Sequence, residues 1–251
     1  MTMRKWFTVR GVLLFLISIC IVPNIHAEEM QNEGQWKIRT EISLADTSGN
    51  TDIQTISGKL EIKKEGPINR YFLNGRILQV KDRDRETSNK VSSEARWERG
   101  ITERLFALLS AGYIRDIFSG YEYRLFGGPG MGYTFIDTGV HRLQWLISSI
   151  YYHDEFSGEV KGSDDYLAGK TTLKYEWKIL ENLKFKETLD SYISFKNKDK
   201  YFVDSESAIE VKVNKSVSIG INYVVNYQNI LPAPGVEHTD TTFLTTLIID
   251  F

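Results

Sequence analysis

The stretch from residue 241 to residue 251, TTFLTTLIIDF, constrains the fold more than any other part of the chain. Successive side chains of a β-strand point to opposite sides, so one face here is almost wholly apolar and the other is mixed. The odd positions are Phe243, Thr245, Leu247, Ile249 and Phe251, and the even positions are Thr242, Leu244, Thr246, Ile248 and Asp250. Because lipid offers no hydrogen bonds, a membrane strand must be paired along its length. The stretch therefore predicts the closing strand of a membrane barrel.

The same alternation recurs along the rest of the chain. Trp36 and Ile38 share one face of a run that places Lys37 and Arg39 on the other, and we count about twelve such runs of membrane-spanning length. Short turns near 64–68, 100–104, 137–140, 180–182 and 214–216 alternate with longer or more polar loops near 46–51, 82–89, 115–120, 153–165, 196–200 and 228–240. This predicts an all-β fold, a closed antiparallel transmembrane β-barrel of about 12 strands with both termini periplasmic.

Composition alone does not decide between a membrane barrel and a secreted soluble β protein. Of the 251 residues, 41% are apolar and 25% are charged, which is ordinary for a soluble chain. No stretch after the N-terminus approaches the roughly 20 apolar residues of a membrane helix. Barrel strands carry only a half-apolar pattern, so this absence does not count against a barrel.

The N-terminus has the layout of a secretory signal peptide. Arg4, Lys5 and Arg10 precede an apolar run that ends before Pro23, and a short polar stretch leads to Ala27. We predict a signal peptide over 1–27 and an outer-membrane β-barrel domain over 28–251. Cleavage lowers Lys+Arg from 31 to 28 against 33 Asp+Glu, and the mature net charge of −5 argues against nucleic acid as a partner. The single cysteine leaves with the signal, so pairing and packing must hold the barrel.

Aromatic residues gather near the predicted strand ends, as two belts at the membrane interfaces would require. The predicted periplasmic belt contains Trp36, Trp97, Tyr133, Phe135, Tyr175, Trp177, Phe185 and Phe251. The predicted opposite belt contains Tyr113, Tyr121, Tyr151, Phe195, Tyr201 and Tyr227.

Three segments carry a family resemblance: SLADTSGNT from Ser43 to Thr51, YIRDIFSGYEYRLFGGPGMGY from Tyr113 to Tyr133, and the final Phe251. They resemble a bacterial family described as salt-induced outer-membrane proteins, whose members carry a domain of unknown function. The resemblance covers essentially the whole mature chain and implies an outer-membrane barrel linked to ionic or acid stress. It implies no catalytic residues. Phe251 also resembles the C-terminal assembly signal of outer-membrane barrels, which implies the barrel-assembly machinery as a partner beside outer-membrane lipids.

His153-Asp154-Glu155 is the one sequence candidate for acid–base chemistry. Ser148 and Ser149 lie nearby as nucleophiles, but adjacent strand residues point apart, and activation needs hydrogen-bond reach. A solvated loop is therefore the favoured interpretation, and no catalytic residue is predicted. His141, His153 and His238 show no metal-ligand spacing, so neither a metal nor a cofactor is predicted.

Charged residues on the faces opposite the apolar stripes are the candidate lumen-lining set. They are Lys37, Arg39, Glu41, Glu94, Arg96, Glu98, Lys170, Lys174, Glu176, Asp204, Glu206, Glu210 and Lys212. A selective channel presents one dominant sign at its constriction, whereas these signs are interleaved. Interleaved charges predict a paired network and a narrow or largely blocked lumen.

Two further features of the pattern bear on the interior. Gly127 to Gly130 weaken a long strand and predict a bulge, and Gly128, Gly130 and Gly132 share a face that is expected to point inward. These glycines make room either for a solute or for larger neighbouring side chains. Glu187 interrupts an apolar face, and the pattern does not explain it.

The leading hypothesis is a non-enzymatic outer-membrane barrel of a Gram-negative bacterium. It supports envelope integrity or stress adaptation, or allows limited passage of small solutes. The alternatives are a barrel hydrolase with a site at the extracellular rim near His153, and a soluble periplasmic β protein that binds a small apolar ligand. The sequence leaves the solute, the inducing stress and the oligomeric state open.

Overall fold

The computed structural model describes residues 34–47, 53–83, 85–157, 162–231 and 237–251; the predicted signal peptide, residues 1–27, lies outside them. These residues form antiparallel strands that follow one another along the chain. The strands are β1 (Trp36–Thr47), β2 (Ile53–Glu65), β3 (Asn69–Asp82), β4 (Arg85–Gly100), β5 (Leu105–Asp116), β6 (Tyr121–Asp137), β7 (His141–Phe156), β8 (Ser163–Leu180), β9 (Leu183–Ser194), β10 (Tyr201–Lys212), β11 (Val217–Gln228) and β12 (Thr239–Asp250).

Each strand pairs with its neighbours in the sequence, and β1 pairs with β12 to close the ring. The predicted closed antiparallel barrel is therefore confirmed, with twelve strands. The closing seam runs from Arg39 opposite Asp250 to Ile42 opposite Leu247. Beyond it, the backbone of Phe251 donates to and accepts from Ile38. We call the end that carries residue 34 and Phe251 the terminal end, and the opposite one the far end.

Strands at the far end are longer than the sequence predicted. The charged segment 82–89 was expected to be a loop, but β3 continues to Asp82 and β4 begins at Arg85. The segment 153–165 is likewise shortened, because β7 reaches Phe156 and β8 begins at Ser163. These polar segments continue as strands because their side chains find partners. Glu86, for example, accepts hydrogen bonds from the side-chain amides of Gln79 and Asn89.

The alternation turns the apolar stripes outward. Large side chains such as Leu73, Ile219 and Leu247 are 45–49% exposed on the outer wall. An exposed apolar belt of this extent is what a membrane-spanning barrel presents to lipid. Tyr121, expected in the far belt, is instead 5% exposed, and the Arg124 guanidinium lies 4.0 Å from its ring centre. The far belt was predicted wrongly at this position because Tyr121 adjoins a register shift in β6.

Two clusters of buried apolar residues lie inside the barrel along β5 to β8, a region we call the packed sector, and further buried apolar residues such as Leu244 and Ile248 lie on β12. Ile150, Tyr152, Tyr166 and Ala168 form one buried cluster, and Phe106, Leu108 and Leu146 form another. The structure decides between the two roles proposed for the glycines of β6, since a Cβ on Gly132 would lie 2.2 Å from the Phe106 ring. That glycine makes room for a larger neighbour.

The bulge predicted at Gly127 to Gly130 is not present. β6 keeps one register against β7 from Gly127 to Thr134, and the register shifts lie nearer the ends of the strand, between Tyr121 and Tyr123 and between Thr134 and Ile136. Inward glycines at alternate positions are tolerated here because neighbouring strands supply both the hydrogen bonds and the packing. In the described part of the chain, no helix is long and apolar enough to cross a membrane.

Candidate functional site: the lumen

The charged residues chosen from the sequence lie on the inward faces of β1, β4, β8 and β10. Ten of them line one cavity of about 500 Å³: Glu41, Glu94, Arg96, Glu98, Lys170, Lys174, Glu176, Asp204, Glu206 and Glu210. Lys37, Arg39 and Lys212 share the same strand faces nearer the terminal end. Charges of both signs line the cavity in near-equal numbers.

Glu206 of β10 joins opposite walls of the barrel. Its carboxylate lies 2.5 Å from Arg76 Nη2 of β3 and 3.4 Å from Lys59 Nζ of β2. β3 and β10 stand on opposite sides of the ring, so these contacts cross the lumen. Lys59 is also 3.0 Å from Glu61, and the cluster links three strands through alternating charges.

A second group of ion pairs lies nearer the terminal end. Arg39 of β1 contacts Glu210 of β10, and its guanidinium is also 3.1 Å from Glu41 and 3.3 Å from Asp250. Lys186 of β9 approaches the same Glu210 carboxylate at 2.7 Å. Arg39 therefore connects β1, at the closing seam, to β10, which lies three strands further round the barrel.

A third link crosses from β4 to β8. Lys170 Nζ lies 3.9 Å from Glu94 and 3.6 Å from Asp190. Arg96, beside Glu94, has Nε 2.9 Å from Glu98, although the angle makes no hydrogen bond. We call the inward residues that form these pairs, on β1 to β4 and β8 to β10, the charged sector; on β8 it begins at Lys170, after Tyr166 and Ala168 of the packed sector.

Several lumen residues escaped the sequence-based selection. Lys59, Glu61 and Lys63 alternate on β2 as clearly as the chosen residues do, so the same criterion could have found them. Arg76 was missed for a different reason. Its strand turns Phe72 and Leu78 inward as well, which hides the alternation.

The far end of the packed sector contains a buried ionic cluster. Asp154 of β7 is fully buried and accepts hydrogen bonds from Arg124 at 2.7 and 3.2 Å. Lys200, from the segment between β9 and β10, donates to the same carboxylate at 2.9 Å, and Tyr166 donates at 3.1 Å. The ring of Phe202 lies 4.6 Å from the Arg124 guanidinium. One carboxylate thus fastens a connecting segment onto three strands.

His153 is on the other side of the wall. Its Nδ1 lies 2.8 Å from Asp165 on the outer face, where Tyr151 donates to the same carboxylate at 2.9 Å. Ser149 shares that face, but it lies four positions from His153 along the strand, a distance of about 13 Å. Proton transfer needs hydrogen-bond reach. The neighbouring Asp154 points inward, so the sequence triplet does not come together as an acid–base site.

Glu187, the residue that interrupts an apolar face, points outward as the pattern indicated. Its carboxylate accepts hydrogen bonds from Ser205 at 2.9 Å and Ser207 at 2.5 Å, both on the adjacent β10. The two hydroxyls supply the donors that lipid lacks. The explanation is in the neighbouring strand, which the local pattern of β9 cannot show.

The closed ring, the outward apolar belt and the charged interior define a membrane-spanning β-barrel as the class of protein. Within that class, the chain belongs to the family described as "Protein of unknown function, DUF481", whose model matches residues 40–251.

Several known proteins are similar to the chain in sequence or in fold. The uncharacterized protein YdiY of Escherichia coli (strain K12) is 23% identical over 193 residues, covering 77% of this chain and 74% of that protein. An outer membrane channel from Pseudomonas putida F1 superposes with a TM-score of 0.52 at 7% identity, covering 92% of this chain and 98% of that one. The NanC porin superposes with a TM-score of 0.49 at 9% identity, covering 86% and 98%.

Proposed function

We propose that this protein is a non-enzymatic barrel of the bacterial outer membrane that allows slow passage of small solutes. The observation that carries the proposal is the set of contacts that Glu206 makes across the lumen with Lys59 and Arg76. Long side chains that meet in the bore narrow it, while a cavity of about 500 Å³ remains beside them. A narrow polar path with paired charges favours low conductance over free diffusion.

Conductance of the purified barrel in planar lipid bilayers tests the proposal. The unmodified protein should show small, discrete current steps in potassium chloride. Glu206→Ala removes the acceptor that joins opposite walls, so the steps should become larger or change their ion preference. Glu94→Ala, which releases Lys170, should act in the same direction. Large steps that neither substitution alters would mean a wide bore in which these charges are merely solvated.

Export and assembly belong to the same proposal. A signal peptide over 1–27 would direct the chain to the periplasm, and the barrel-assembly machinery would engage β12 before the seam closes. Outward Phe243, Leu247 and Ile249 would then face outer-membrane lipids. Phe251→Asp should lower outer-membrane levels more than Thr241→Asp, because Phe251 lies beside the seam and Thr241 does not. Equal levels would argue against a special role for Phe251.

A role in envelope integrity under salt stress also belongs to the proposal. Ion pairs exposed to water in a lumen weaken as salt rises, whereas buried ones are screened much less. Growth of a deletion strain at raised osmolarity, with and without the restored gene, would measure the role directly. Identical growth of the two strains would count against it.

A further inference from the structure

The geometry points to a binding site in the lumen for a small organic anion that bears a carboxylate, formed by Lys174 of β8 and Arg142 of β7. This inference rests on the proposed passage of solutes and specifies their chemistry. The inward-facing cations of the described strands differ in their partners. Lys59, Arg76 and Lys186 each have a carboxylate partner, and Lys174 does not.

Lys174 lines the cavity with its ammonium unpaired. It makes no hydrogen bond or ion pair with any residue in the described part of the chain. The Arg96 guanidinium, which has the same sign, acts on it more strongly than any other single charge, and the carboxylates of Glu94, Asp190 and Glu98 act in the opposite sense without forming an ion pair with it among the described residues. An ammonium drawn out of bulk water beside another cation is unfavourable unless an anion joins them.

Arg142 supplies the second unsatisfied donor. Its Nε is buried and has no acceptor among the described residues, although the side chain as a whole is 32% exposed; the nearest carboxylate, that of Asp137, is 4.0 Å away and 65% exposed. Glu176 stands opposite Arg142 in the strand register, yet the two form no ion pair among the described residues. Buried donors of this kind call for a partner that the protein itself does not provide.

The spacing of the two donors suits one carboxylate. Lys174 is directly opposite Gln144, and Arg142 is two residues from Gln144 on the same face. Diagonal neighbours of this kind are about 7–8 Å apart, and both side chains are long enough to converge on a group between them. Arginine offers a planar fork that matches a carboxylate, and lysine adds a compact charge.

The cavity sets the size of the ligand. Its volume of about 500 Å³ lies within the range of small-molecule sites. Among the cations that line the cavity in the described part of the chain, Lys174 stands out because it has no ion pair, and Arg142 has only the 4.0 Å contact with Asp137. A small polycarboxylate can place one carboxylate here and keep the others hydrated.

Citrate block of the single-barrel current is the direct test. Potassium citrate replaces part of the potassium chloride at constant ionic strength, and the concentration that halves the current is measured. Citrate should block the unmodified barrel. Lys174→Gln should weaken the block roughly tenfold or more, as expected for loss of one charge-assisted hydrogen bond. Lys174→Arg should retain it.

Lys212→Gln is the matched control, since it removes the same charge from an inward position outside the cavity, near the terminal rim. Block by citrate should be unchanged in this variant. Arg142→Gln provides an independent check if Lys174→Gln does not fold. Equal loss of block in Lys212→Gln and Lys174→Gln would overturn the site in favour of a general charge effect.

Equilibrium binding separates failure of the inference from failure of the proposed function. Isothermal titration of citrate into the barrel in detergent should show binding that Lys174→Gln abolishes. A conducting barrel that citrate neither blocks nor binds refutes the anion site and leaves solute passage intact. A barrel that binds citrate through Lys174 but never conducts refutes solute passage and leaves the anion site intact.

Discussion

The packed sector and the charged sector fill the same lumen by different means. In the packed sector, rings and aliphatic side chains close over inward glycines, and Ile150 is wholly excluded from solvent. In the charged sector, Glu206 and the cations that hold it each keep 20–28% of their side-chain surface exposed. The packed sector therefore resembles a protein core over much of its length, and the charged sector is a polar wall beside a cavity.

The difference shows where stability and function are separated in this barrel. Close-packed interiors transmit any change in volume, whereas side chains next to a cavity can move or gain water. Substitutions in the packed sector should therefore affect folding, and those in the charged sector should affect conductance.

Asp154→Ala should have the largest effect, because it leaves Arg124 buried without its carboxylate partner and leaves Lys200 with Asp164 alone. Breaking a buried ion pair from one side costs about 3–5 kcal/mol. Urea unfolding of the barrel refolded into phospholipid vesicles would measure the loss. Asp165→Ala is the control, since this outward carboxylate is exposed and pairs only with groups on the surface. Similar losses in both variants would contradict the burial argument.

Gly132→Ala should destabilise the packed sector by about 1–3 kcal/mol, the usual cost of overpacking. The new methyl group would meet the Phe106 ring, which has little room to move. Gly75→Ala is the control, because a Cβ there meets nothing within 4 Å. The two variants can be compared by the same unfolding measurement. Equal stability would mean that the ring of Phe106 is free to shift.

Glu206→Ala should change stability by about 1 kcal/mol or less, although it should change conductance clearly. Lys59 retains Glu61 and Glu41 as partners, and Arg76 faces the cavity, where water can solvate it. Unfolding and conductance measured on the same preparation would separate the two effects. A loss of stability as large as that of Asp154→Ala would abolish the distinction between the sectors.

Glu187→Gln should have the smallest effect, about 0.5 kcal/mol or less, because the amide oxygen still accepts from a serine hydroxyl of β10. Glu187→Leu should cost more, since it leaves Ser205 and Ser207 without their acceptor. The order of these two variants in urea unfolding is the result to measure. The reverse order would show that the two serines find other partners.

The sequence determined much of the fold because the relevant signal is local. A period of two along a strand places neighbouring side chains on opposite faces of the sheet, one inside and one outside the barrel. The repetition of that period predicts both the barrel and its approximate strand number. The inward charges on β1, β4, β8 and β10 could be chosen for the same reason. Polar strand extensions such as Arg85 to Asn89 were missed because composition does not report pairing.

Tertiary structure alone decided which groups meet. Arg76 and Glu206 are 130 residues apart and come together only because the ring closes with one particular register. The pairing of Glu187 with Ser205 and Ser207 likewise depends on the register of β9 against β10. Alternation determines whether a side chain points into the lumen or out of the barrel. Closure of the ring and the stagger between its strands determine which side chains it meets across the lumen. For that reason the unpaired state of Lys174 could be recognised only once every other charge had been placed.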